Sequence, residues 1–276
     1  MKPDSQGVMF YDPIKTFEVN PNMSIKFDTV EGVKLIIIDD FYKNPEMVRD
    51  LIVSTPVTSN NPAYVSGYSG YRIWSDLAIQ NLDIFPILTN IFKEGFNLTD
   101  EFLKEDEVIM TKNRCIIGNI FTGTPNVTNN NRRHQPHWDF CLYSALIYFD
   151  KKPGNGTALF RHKETNTTYV PTTLSQVKLG ARDLGISVEE FDKTSKDNFD
   201  KLHAIHLNDD VNNEKLVDSD TMEYINIYNT EGKYNQLVAF AGATLHSPIA
   251  NYEQLKNDDE IRVNQVMFLN PVKRRF

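Results

Sequence analysis

A chain of 276 residues, 40% hydrophobic and 24% charged, is long enough to bury a sizeable core as one large domain. Its formal charge of −8 supplies no field that would gather phosphate backbones, and its basic cluster is confined to Lys273, Arg274 and Arg275, which argues against nucleic acid as a partner. The opening MKPDSQGVMFYDP has no apolar signal region, and the run Val33 to Ile38 is too short to span a bilayer, so a cytoplasmic protein without membrane attachment is expected.

The first expected element is a strand in VKLIIIDD, residues 33–40, followed by a helix whose Met47, Val48, Leu51 and Ile52 fall at helical spacing. Pro45 can occupy its first turn. A second helix is expected from Ile84 to Leu103, with Ile87, Leu88, Ile91, Phe92 and Phe96 on one side to pack against a sheet. From Arg114 onward short apolar runs (RCIIGNIF, YSALIYF, TALFRH, NQLVAFAG and IRVNQVMFL) alternate with Gly, Pro and Asn clusters, the pattern of an all-β sandwich or barrel. Cys115 and Cys141 lie in two such runs and read as buried free thiols. Residues 122–135 (TGTPNVTNNNRRHQ) have almost nothing apolar to bury and are expected to form a mobile lid. Residues 172–233 are charged and partly helical, an expected excursion from the sheet. The expected organisation is a single domain, with an N-terminal strand and supporting helices over 33–110 and a β core over 111–270.

Chemistry concentrates in RHQPHWDF. On a strand, His137 and Asp139 project to the same face and can meet one metal ion without bending the backbone, while Trp138 points the other way and reads as core. An H-x-D pair is common by chance, so a third ligand is needed. His246, in NQLVAFAGATLHSP, is the candidate. Two histidines and one carboxylate with open positions form the facial triad of non-haem Fe(II) oxygenases, and the competing reading is three satisfied polar side chains at strand ends. Arg262 follows on an alternating strand where Arg262, Asn264, Val266 and Phe268 share a face that turns apolar. A buried guanidinium calls for an anion, and the distal carboxylate of a dicarboxylate that chelates the metal at its other end would supply one.

The order H-x-D, LIYFD, GNGT, a distal His and an Arg on the last strand resembles the 2-oxoglutarate and Fe(II)-dependent dioxygenases, nearest to the prolyl 4-hydroxylase-like branch. IIIDDFYKNPEMVRDLIV is similar to that branch's N-terminal strand and helix. PHWD, GTALFRH and YNQLVAFAGATLHS also resemble a little-characterised group of small oxygenases from marine microbes and viruses. The resemblance implies a mainly β fold with flanking helices, a double-stranded β-helix or cupin-like jelly roll. It implies Fe(II) on His137, Asp139 and His246, and 2-oxoglutarate and O₂ as cosubstrates, with Arg262 on the distal carboxylate. Asn264 stands where the related pattern carries Ser or Thr, and its amide can still donate. Thr157 matches the Thr after the family's Gly pair, here spread over Gly154-Asn155-Gly156, and reads equally as a cosubstrate contact or a turn cap. Asp139 argues against halogenation, because the halogenating members carry Gly or Ala there. Arg161 and His162 alternate faces at a strand end, so one of them can face the interior as a substrate contact, or the strand end frays into solvent.

The expected activity is hydroxylation of a small-molecule or peptidyl substrate with release of succinate and CO₂. Two alternatives stand beside it: a cupin-type metalloenzyme that does not use 2-oxoglutarate, and a non-catalytic jelly-roll binding or structural protein.

Overall fold

Val33–Asp39 forms the expected strand, β2, with Val33, Leu35, Ile36 and Ile38 buried. The computed structural model describes residues 12–54, 71–74, 84–99, 108–109, 115–121, 136–208, 219–249 except 222, and 262–271. Ahead of β2 lies a strand that the sequence reading did not include, β1 (Ser24–Val30), joined to it as an antiparallel hairpin. Glu31 and Gly32 make the turn with φ of 47° and 84°, the left-handed pair that a tight hairpin requires and that glycine adopts without strain. β1 exposes Ile25 and Phe27, so its alternation does not bury a face.

The remaining strands are β3 (Tyr71–Trp74), β4 (Val108–Ile109), β5 (Cys115–Phe121), β6 (Tyr143–Tyr148), β7 (Thr157–His162), β8 (Tyr224–Asn229), β9 (Leu237–Ala241), β10 (His246–Pro248) and β11 (Arg262–Pro271). Eight strands form one sheet in the order β1-β2-β9-β6-β11-β5-β3, with β4 on β11, and three form a second in the order β10-β7-β8. The pairings are antiparallel. The fold is therefore mainly β with flanking helices: α1 (Pro13–Thr16), α2 (Pro45–Ser54), α3 (Ile84–Gly95), α4 (Leu174–Leu184) and α5 (Val188–Asn208).

The two-residue period of the strands sorts side chains into layers. Ile36, Ile38, Tyr143, Ala145, Ile147, Val263 and Met267 leave one face of the larger sheet to pack against Val48, Leu51 and Ile52 of α2 and Leu88, Ile91 and Phe92 of α3. Leu35, Leu146, Tyr148, Val238, Phe240 and Val266 leave the other face and meet Leu159 of β7, so the space between the two sheets is a second apolar layer. Ala158 and Phe160 leave the far face of β7 to pack with Tyr224, Leu245 and Leu202 of α5. Trp138 joins this third cluster and stacks edge-on against Phe199, as core.

Two expected boundaries move. α3 stops at Gly95 rather than Leu103: Asn97 turns left-handed at φ 53°, and the Leu98 N–H closes on the Lys93 carbonyl at 2.9 Å. Any side chain at Gly95 would strike Ile36 and Phe27. Residues 100–103 lie outside the described residues. The helical excursion after residue 172 ends before Tyr224, because β8 belongs to the smaller sheet and pairs with β7. Its sequence YINIYN hides this, since Tyr224 alone of its six residues is buried. The 122–135 lid segment also lies outside the described residues, as do Lys273 to Arg275.

Candidate metal centre

His137 and His246 exchange both backbone hydrogen bonds, 2.9 Å from His137 N to His246 O and 2.8 Å in return. Directly opposed residues of an antiparallel pair project to the same side, and the two imidazoles lie 4.4 Å apart between ring centroids. Asp139 is tied two residues further on by its N–H to the Gly242 carbonyl at 2.7 Å. One donor atom from each of the three residues lies within 4.8 Å of the others. The structure thus brings together the three side chains expected to ligate a metal.

Their hydrogen bonding suits a cation. Nδ1 of His246 lies 2.8 Å from the Thr244 carbonyl oxygen, which can only accept, so Nδ1 donates and Nε2 is the ring atom left to face a metal ion. That nitrogen faces Oδ2 of Asp139 across 3.5 Å. A nitrogen and a carboxylate oxygen so placed can both ligate one ion between them.

Two residues that the sequence does not single out hold Asp139, one at its carboxylate and one at its backbone. Ser144 Oγ donates to Asp139 Oδ2 at 2.6 Å and lies 3.1 Å from the Cys141 thiol. Gln176, fully buried near the start of α4, donates from Nε2 to the backbone carbonyls of Asp139 at 2.8 Å and Cys141 at 2.7 Å. The capping pattern Thr173-x-x-Gln176 was visible in the sequence, but nothing local to it points at residue 139.

Arg262 is 1% exposed, at the start of β11. Its Nε donates to the Asn155 carbonyl at 3.0 Å and its Nη2 to the Gly156 carbonyl at 2.9 Å. The guanidinium carbon lies 6.0 Å from the centroid of the Tyr148 ring. Gly156 is required by close approach, since a Cβ there would come within 2.1 Å of the Thr230 carbonyl. The Thr157 hydroxyl meets the Tyr148 hydroxyl at 2.8 Å, and Thr230 Oγ1 takes the Thr157 N–H at 2.7 Å and lies 3.2 Å from the same phenol. Burial pushes the Tyr148 hydroxyl's pKa above its ordinary value. Asn264 is buried on the same strand, and its Oδ1 makes no hydrogen bond among the described residues. Tyr148 and Thr230 are further members of this polar group that the sequence reading did not name.

The two substrate candidates leave opposite faces of β7, Arg161 on the side of Thr157 and Leu159 and His162 on the side of Phe160. Arg161 pairs with Glu31 of the β1–β2 turn at 2.7 Å. His162 is buried on the opposite face, with Nδ1 2.9 Å from Thr165 Oγ1 and its ring beside Tyr224, and burial lowers its pKa. His203 and His206 lie on α5, and His134 falls outside the described residues.

The family DUF6445, described as a family of unknown function, matches residues 20–262. The chain belongs to that family. The DUF6445 match begins just before β1 and ends on Arg262, so it spans all three members of the His-Asp-His cluster. No curated protein matches the chain. Among the described residues no helix is long and apolar enough to cross a membrane.

Proposed function

We propose that this protein is an Fe(II)- and 2-oxoglutarate-dependent dioxygenase that hydroxylates a small-molecule or peptidyl substrate, built on a double-stranded β-helix. The strand order supports the fold reading. From β5 onward, β5-β11-β6-β9 lie in one sheet and residue 137 with β10-β7-β8 in the facing one, the alternation of a jelly roll.

One observation supports the functional reading: His246 of the His-Asp-His cluster and Arg262 lie on strand faces that turn toward the same layer between the sheets. His246 is paired with Leu159 and its ring lies 4.9 Å from that of Phe240, and both residues line the inter-sheet layer. Arg262 shares its strand face with Val266 of the same layer. A ligand that spans metal and guanidinium must carry a chelating end and an anionic end, and 2-oxoglutarate has both.

His137, Asp139 and His246 would hold Fe(II), a borderline ion suited to imidazole and carboxylate donors. Bound there, the iron would supply the redox chemistry that couples O₂ and 2-oxoglutarate decarboxylation to oxidation of a substrate C–H bond. Arg262 would receive the distal carboxylate, with the Tyr148, Thr157 and Thr230 hydroxyls beside it. Leu159, Phe240 and Val266 would exclude water from the remaining walls.

A metalloenzyme that does not use 2-oxoglutarate is the second reading, and Arg262's two bonds to the Asn155 and Gly156 carbonyls favour it, because they give the guanidinium a structural task. Succinate release separates the two. The decisive variant is Arg262→Lys, which keeps the charge and loses the planar fork. Loss of roughly 1.5–3 kcal/mol of charge-assisted bonding corresponds to a 2-oxoglutarate dissociation constant about 10- to 100-fold weaker, with metal affinity unchanged. Unchanged cosubstrate affinity in a folded variant would refute the assignment.

A further inference from the structure

Residues 138–142 belong to no strand, so the carbonyls of Asp139 and Cys141 have no sheet neighbour of the ordinary kind. Both converge on the side-chain amide of Gln176, at 2.8 and 2.7 Å. The other end of that amide is equally occupied: Oε1 accepts from Thr172 N at 2.8 Å, Thr172 Oγ1 at 3.1 Å and Thr173 N at 3.2 Å. Gln176 therefore links the first turn of α4 to the backbone of the ligand loop, with no solvent exposure. Asp139 is restrained at three points, by Gly242 at its N–H, Ser144 at its carboxylate and Gln176 at its carbonyl.

From this arrangement we infer that Gln176 is a positioning residue for the metal centre, and that α4 is part of the frame that sets the Asp139 carboxylate. The inference rests on reading His137, Asp139 and His246 as metal ligands. A donor amide on two carbonyls fixes the peptide planes that follow Asp139 and Cys141, and the first of them restrains the direction of the Asp139 Cα–Cβ bond. Linkage makes the effect reciprocal: if α4 holds the ligand in its binding geometry, a bound ion must hold α4 in place.

Anaerobic titration with Mn(II) or Co(II) alone tests this, on wild type, Gln176→Glu, Gln176→Met and Thr173→Ala. The glutamate keeps the shape and the acceptor end but loses the donor; the methionine loses both. Thr173→Ala removes the cap hydroxyl that accepts the Gln176 N–H, and lowers the melting temperature without touching either clamped carbonyl. Both Gln176 variants should bind the ion about 10- to 100-fold more weakly and alter the Co(II) visible spectrum, while Thr173→Ala binds within about twofold of wild type. Wild-type affinity in Gln176→Glu, or an equal loss in Thr173→Ala, overturns the positioning role and leaves the metal site standing. A folded wild type that binds no ion overturns the metal reading itself, and this inference with it. If the Gln176 variants do not fold, hydrogen exchange of wild type decides: slower exchange in the first turns of α4 on adding Mn(II) supports the link, and unchanged exchange overturns it.

Discussion

Asp150 provides the sharpest test of the energetics around Arg262. Its carboxyl is 2% exposed just beyond the end of β6; Oδ1 accepts the Val263 N–H at 2.5 Å, and Oδ2 has no hydrogen-bond partner among the described residues. Burial pushes its pKa from 3.8 up to about 7, against the opposing pull of Arg262, the Val263 N–H and Arg49. The folded value lies above the unfolded one, so between these pH values the folded chain holds a proton that the unfolded chain has released. The group's contribution is then greatest in acid and is lost as pH rises from about 4 to about 7, by about 4 kcal/mol when ionisation is complete. Asp150→Asn keeps an oxygen for Val263 and removes the titration. Urea unfolding of both proteins at steps from pH 4 to 8 isolates the effect, because the difference between them cancels the groups they share. The variant's stability relative to wild type should climb by about 4 kcal/mol across that range. A flat difference would refute the burial argument, and a falling one would mean that attraction to Arg262 outweighs desolvation.

Ser144→Ala removes the donor on Asp139 Oδ2 and should weaken Mn(II) binding about tenfold in an anaerobic titration, with little change in melting temperature. In Gly242→Ala the new Cβ would come within 2.1 Å of the Cys141 carbonyl, beside the bond that anchors Asp139; unfolding should show a loss of about 1–3 kcal/mol, and metal binding should weaken with it. Tyr148→Phe strands the Thr157 hydroxyl in the core, leaves Thr230 Oγ1 with the Thr157 N–H, and should cost about 1–3 kcal/mol by denaturant titration.

Which side chains share a face was legible in the sequence wherever the signal is local. Val33 to Asp39, the α2 stripe and the apolar runs from β5 to β11 carry their periodicity within a few residues, and period decides which side chains share a face. His137 and Asp139 could be paired for the same reason, being two apart on extended chain. His246 joined them through the order of motifs along the chain, whereas its place directly opposite residue 137 is set by an antiparallel bridge that no local pattern encodes. β1 escaped notice because an edge strand that exposes Ile25 and Phe27 buries no face, and β8 because polar Asn residues interrupt its apolar ones. α3 ended early because Asn97 turns left-handed and the Leu98 N–H closes on the Lys93 carbonyl, a cap that the run of apolar residues through Leu98 conceals. The destinations of Arg161, Arg262 and Gln176 were tertiary decisions. Each is a long polar side chain whose partner lies on a distant segment (Glu31, the Asn155 and Gly156 carbonyls, the Asp139 and Cys141 carbonyls), and only the closed fold determines which distant oxygen comes within hydrogen-bond reach.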